Sequence, residues 1–197
     1  MVGIMDATPA EPQIRGRPMI ELLGHLDTFE PGLATKVRDS VGAEAFDAIL
    51  EGLPTDWLDA ARTRPIIDAL VAELGDRAPE VWSSLVSKRL FDTPFLGGFF
   101  DMLVRLGGVS PKRFLKAFPR GWTNAYKGWG TLEVAAAEDH SARIEFSEVA
   151  PYLFEHRQHW LAIRGVLLGI VTLAKEEGEV ELRYAPDEAR VEALIRW

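Results

Sequence analysis

Two histidines three residues apart, His156 and His159, with Glu155 beside them, come closest in this chain to a metal site by type and spacing. On a helix that spacing can put two imidazoles on one face, and a third ligand, His140 being the candidate, would complete a zinc-type set. No HExxH or other second pair accompanies them. The favoured reading is a polar helix start near the surface, and no metal is expected. GxSxG, P-loop and GxGxxG patterns and a catalytic carboxylate pair in recognisable context are likewise missing, while Gly107-Gly108 reads as a helix stop. No catalytic residue is assigned and no cofactor is expected.

Two other groupings stand out. Between Met102 and Leu132 the chain carries Arg105, Lys112, Arg113, Lys116, Arg120 and Lys127 and no acid, although its net charge is -8. Lys112, Lys116 and Arg120 recur every four residues and line one face if their helix continues past Phe118. They form either an anion-facing surface for an acidic partner, a phosphorylated ligand or headgroups, or a solvated face that pairs with the acidic remainder of the molecule. Aromatic residues crowd the same region: Phe91, Phe95, Phe99, Phe100, Phe114, Phe118, Trp122, Tyr126 and Trp129. They read as core, or as a pocket for an apolar ligand lined by Phe99, Phe118, Trp122, Tyr126 and Trp160.

The elements that must position these residues follow from periodicity. Residues 1–13 read as a loose tail and 14–197 as one α+β domain, helical over 14–127 and sheet-forming over 128–197. A short helical or extended segment is expected over 18–26, and short helices over 32–41 and 43–50. Thr55 reads as the N-cap of a helix whose apolar stripe runs from Trp57 to Leu74, with Pro65 inside it and Gly75 closing it. Further helices are expected from Pro79, from Pro94 and from Ser110-Pro111, the last bent or stopped by Pro119. The period then changes. Residues 131–137 and 142–149 alternate as a hairpin, and 152–175 reads as one long helix carrying Gly165 and Gly169. Two more strands, 180–184 and 190–197, close the chain. The order β-β-α-β-β predicts an antiparallel sheet of about four strands. The two glycines predict close packing of the long helix on the sheet or on a symmetry mate.

Composition narrows the class. An apolar share of 47% over 197 residues supports a packed globule. The absence of cysteine excludes disulfides and thiolate chemistry and suits a reducing cytoplasm. No apolar run reaches the roughly 20 residues of a membrane span, and the N-terminus lacks a secretory pattern. The negative charge disfavours bulk nucleic-acid binding.

The series Phe118-Pro119-Arg120-Gly121-Trp122, then Tyr126, Gly130, the hairpin, the helix around Trp160 and Gly165, and the closing Ile195-Arg196-Trp197 resembles a family of uncharacterised paralogous proteins of myxobacteria. That family is similar to the wider superfamily of 4-vinyl-reductase-type and haem-nitric-oxide-binding domains. The phrase Leu53-Pro54-Thr55-Asp56-Trp57 fits the same pattern. The resemblance implies a helical half packed on an antiparallel sheet, and a role in sensing or small-molecule binding. Its functional residues do not carry over: the Tyr-x-Ser-x-Arg motif of haem-binding relatives is missing, no histidine falls in the ligand helix, and the cysteines of many relatives would fall near Arg183 and Val191. The chain thus looks like a degenerate or re-purposed copy. The first expectation is a non-enzymatic regulatory or scaffold module in bacterial signalling that binds a protein partner, with a homodimer among the options. A small-molecule sensor with an apolar pocket comes second, and a reductase-like enzyme third.

Overall fold

The computed structural model describes residues 11–89 and 110–197. The helix expected from Pro94, and with it Phe91, Phe95, Phe99, Phe100, Arg105 and Gly107-Gly108, lies outside the described residues. In chain order the elements are β1 (Gln13–Arg15), α1 (Gly16–Leu23), α2 (Leu26–Phe29), α3 (Leu33–Val41), α4 (Ala43–Leu50), β2 (Trp57–Asp59), α5 (Ala60–Leu74) and α6 (Ala78–Arg89). They continue with α7 (Pro111–Ala125), β3 (Tyr126–Lys127), β4 (Thr131–Ala137), β5 (Ser141–Ser147), α8 (Pro151–Glu155), α9 (Gln158–Leu173), β6 (Glu179–Ala185) and β7 (Arg190–Arg196).

The four long strands form one antiparallel sheet in the order β4-β5-β7-β6. Period-two alternation sends Leu132, Ile144, Phe146, Val180, Val191, Ala193 and Ile195 to the buried face. The outer face carries charges that pair across it: Arg143 with Glu145 and Glu192, Arg183 with Glu181 and Glu192, and Arg196 with Glu179. The α+β architecture and the β-β-α-β-β order are those read from the alternation.

Other details differ from expectation, each for a local reason. Thr55 caps no helix. Trp57–Asp59 is extended and pairs with β1, which also pairs with β3, giving a second, three-stranded sheet β2-β1-β3 within the helical half. Strands of two or three residues are too short to show a period. α5 begins only at Ala60, with Asp59 at the N-cap. Gly75, at φ +56, closes it as expected. Pro119 does not stop α7, which runs on to Ala125. The long helix is two helices. Its backbone leaves helical geometry at His156, φ -117 and ψ 66, so α8 and α9 meet at a corner.

Buried side chains fall into two cores. One joins the inner face of the sheet to α7, α8 and α9 through Phe114, Leu115, Trp122, Phe146, Trp160, Ile163 and Leu167. The other packs α1 to α6 around Met19, Leu22, Leu26, Ile66, Leu70 and Trp82. α9 belongs to both: Ile163 and Leu167 face the first core, and Ala162 the second.

The glycine notch of α9 opens on α6, not on the sheet. A Cβ on Gly165 would meet the Pro79 carbonyl and lie 2.8 Å from Trp82 Cβ; one on Gly169 would lie 2.6 Å from Val86 Cβ and 2.9 Å from the Ser83 carbonyl. Glycine at these positions lets the two helix backbones approach. At an unpacked helix position Gly→Ala gains about 1 kcal/mol from propensity. Here the sign reverses: Gly165→Ala and Gly169→Ala are each expected to lose about 1–3 kcal/mol through overpacking, read from the midpoint of urea unfolding. A gain in either variant contradicts the notch.

Candidate functional site

α7 places both unusual groupings of the sequence. Its buried face carries Phe114, Leu115 and Trp122, and its opposite face exposes Arg113, Lys116 and Arg120. The cations expected to act together separate into classes. Lys112 bonds to Asp139 in the β4–β5 turn at 2.8 Å and holds that carboxyl below its usual range. Lys127 lies 4.1 Å over the ring of Trp57, whose ring also takes Arg15 at 4.0 Å. Arg113, Lys116 and Arg120 make no ion pair among the described residues. Arg105 lies outside them.

Of the rings expected to line a pocket, Phe99 lies outside the described residues and the other four belong to one packed cluster. Trp122 stacks on Tyr126 at 4.2 Å and meets Phe118 at 6.1 Å and Phe146 at 5.1 Å. Phe146 meets Trp160 edge-on at 5.1 Å. Trp129 ties the group together, with Tyr126 at 4.8 Å, Trp122 at 6.2 Å and Trp160 at 6.3 Å. Among the described residues these rings pack against one another. A surface groove of about 500 Å³ lies apart from them, between α9 and the edge strand β6, beside Leu161, Arg164, Leu182 and Tyr184. Tyr126 and Phe118 are half-buried, and Tyr126 packs against both cores with its hydroxyl turned inward from water. Burial pushes the Tyr126 hydroxyl well above its ordinary value.

The three indoles of this cluster are not equivalent. Trp122 donates to the Gly130 carbonyl at 3.2 Å, and Trp160 to the Leu153 carbonyl at 3.1 Å. Trp129, 2% exposed, finds no acceptor for its Nε1–H among the described residues. A buried donor left unmatched costs about 1–3 kcal/mol. Trp129 was legible in the sequence only as one more aromatic residue.

Next to the rings lies a polar corner that no local motif announced. Tyr152 packs on His156 at 4.4 Å and near His159 at 5.9 Å. Arg64, from α5, lies 3.2 Å from His156 Nε2 and 3.6 Å from Asp68. The pair His156 and His159 therefore does not act together: His156 faces Arg64, while His159 is buried with Nδ1 3.2 Å from the His156 carbonyl and Nε2 3.2 Å from the Ala60 carbonyl. His140 sits in the β4–β5 turn, exposed. At roughly 3.4 Å per residue the Ser141 end of β5 is about 17 Å from Phe146. Among the described residues no three His, Cys, Asp or Glu side chains converge on a metal position. No helix among them is long and apolar enough to cross a membrane.

No family model matches this chain. No curated protein matches it either. Solved structures do. A mutant H-NOX from T. tengcongensis aligns over 93% of this chain and 97% of its own, with a TM-score of 0.59 and 14% identity. A mutant Fe(II) unliganded H-NOX from K. algicida aligns over 93% and 96%, with a TM-score of 0.61 and 10% identity. An oxygen-binding H-NOX domain related to soluble guanylate cyclases aligns over 93% and 93%, at 0.60 and 14%. At these identities the likeness establishes the fold.

The residues do not fit haem held by an imidazole. All four histidines lie within the described residues. His25, wholly buried, contacts Ser84 Oγ at 3.1 Å, His159 is held between two carbonyls, His156 faces the Arg64 guanidinium, and His140 stands on the surface. Cysteine is absent from the chain.

Burial holds the His159 imidazole below its ordinary range, outweighing the two carbonyls that favour its charge. A neutral ring carries one N–H and donates to one carbonyl at a time. Because the folded state resists protonation, the unfolded chain binds more protons as pH falls. The His159 contribution is therefore complete above about pH 6.5 and declines below it. Stability is expected to drop from pH 7 to pH 5 more steeply in the wild type than in His159→Gln, by up to about 1.4 kcal/mol per pH unit. Parallel pH profiles in urea unfolding would remove His159 from this role.

Proposed function

We propose that this chain is a haem-independent, non-enzymatic sensor module: a re-purposed copy of the H-NOX fold that binds a small, mainly apolar molecule in its aromatic cluster and signals onward to a protein partner. The narrower kinship with the myxobacterial paralogues belongs to this proposal. The observation that carries it is Trp129. Two neighbouring indoles have carbonyl acceptors, and this one, enclosed by rings, has none among the described residues. A ligand with an apolar body and one hydrogen-bond acceptor would stack in the cluster and take up that donor. Tyr126 and Phe118, the half-buried rings, are the members that move to admit it.

The H-NOX likeness over nearly the whole chain supports a sensor more than a scaffold. The protein-partner role moves to the output side of the same reading. The packed rings set the mode of binding: the ligand intercalates and displaces, rather than entering a standing cavity.

Native mass spectrometry of the full chain as purified, with thermal-shift titrations of fatty acids, tetrapyrroles and nucleotides, tests this directly. The expected result is one bound organic molecule or a saturable rise in melting temperature with an apolar probe. Trp129→Phe keeps an aromatic face but removes the N–H and part of the indole volume. The released unmatched donor is expected to offset much of the cavity cost in the free protein, while the affinity for the ligand falls about tenfold or more. An unliganded protein that no probe stabilises, or a variant that responds like the wild type, contradicts the proposal.

A further inference from the structure

We infer that the outer face of α7 is a docking site for a protein partner with an acidic surface patch, contacted by Arg113, Lys116 and Arg120. The inference goes beyond the sensor reading and stands whether or not the aromatic cluster takes a ligand.

The helix brings these three side chains together. At 3.6 residues per turn they fall within an arc of about 60° and span about 10 Å along the axis. All three are exposed and none pairs with an acid among the described residues. Their neighbours are already engaged, Lys112 with Asp139 and Lys127 on Trp57. The molecule has 30 acidic side chains, and many exposed cations elsewhere use them: Arg38 with Asp47, Arg77 with Glu30 and Glu80, Arg183 with Glu181. Arg62, Lys88 and Lys175 are also exposed without an ion pair among the described residues, but they lie on different parts of the chain, whereas the three on α7 share one helix face. Acids are thus available, yet this stripe keeps its charge for solvent.

The chemistry of the stripe selects its occupant. An isolated cluster of like charges on one helix face is repulsive, so an external anionic surface gains from meeting it. The net charge of -8 opposes approach to a long polyanion or an anionic bilayer, whose fields extend well past a 10 Å stripe. An acidic patch on a protein meets the three cations without bringing the rest of the molecule into the same field. The buried face of the helix presents Phe114 and Trp122 to the sheet core, so a partner seated outside presses on the layer that holds the aromatic cluster.

The test uses the full chain and a fluorescein-labelled hexaglutamate peptide, about 20 Å when extended and so matched to the stripe rather than to a long polyanion. Anisotropy at low salt is expected to show saturable binding that fades as salt is raised. R113E/K116E/R120E is expected to weaken it at least tenfold and the neutral R113Q/K116Q/R120Q less so, while Lys88→Glu on α6 leaves it unchanged. Circular dichroism and urea midpoints of the variants establish that they fold. Absence of peptide binding to the wild type, or equal binding by the charge-reversed variant, overturns the inference. Tighter binding to duplex DNA or to phosphatidylserine vesicles than to the peptide overturns it in favour of those surfaces. Sedimentation showing a salt-sensitive dimer of the wild type that R113E/K116E/R120E converts to monomer overturns it in favour of a second copy.

Discussion

The contact between α9 and α6 is the constraint on which this molecule depends. Two hydrophobic cores exist, one under the four-stranded sheet and one among the N-terminal helices, and α9 has apolar residues in both. Gly165 and Gly169 remove the side chains that would hold α6 away. The close approach turns α9 into a shared wall. Ile163 and Leu167 are fully buried against the sheet, while Ala162 joins the helical core. Two mid-helix glycines cost about 2 kcal/mol in helix propensity. Packing of this kind is what offsets that cost.

The shared wall also explains where the unusual side chains collect. α9 begins just after the break at His156, and its first turn carries His159 and Trp160. His159 reaches the Ala60 carbonyl at the start of α5, while Trp160 turns to the aromatic cluster. Arg64, one turn along α5, meets His156 at the break. The seam between the halves is thus polar on one side and aromatic on the other. Trp129 stands beside both, 5.6 Å from His159 and 6.3 Å from Trp160. A molecule that displaced rings here would act on the joint between the halves, which suits a sensor better than a site isolated in one core.

The sheet was legible because its strands are seven residues long and β5 and β7 alternate cleanly, with charges outside and Ile144, Phe146, Val191 and Ile195 inside, although β4 slips at a bulge between Val134 and Ala136. The strands β1, β2 and β3 were not legible: two or three residues carry no period, and their pairing joins positions such as Ile14, Leu58 and Tyr126 that only tertiary structure brings together. The glycine spacing on α9 announced a close approach, but the identity of the partner helix was not encoded locally. The basic run was legible as charge, and its division was not. Asp139, the partner of Lys112, lies 27 residues away, and Trp57, under Lys127, lies on another strand. The unmatched indole of Trp129 became visible only beside its two satisfied neighbours. The His156 break was hidden because its neighbours on both sides favour helix.

Native-state hydrogen exchange tests the central claim, that α9 makes one cooperative unit of the two halves. The amides of α6, α9, β5 and β7 are expected to share one opening free energy equal to that of global unfolding, and Gly169→Ala is expected to lower all of them together. Helices α1 to α6 opening at a distinctly lower free energy than the sheet, with α9 following the sheet alone, would contradict it.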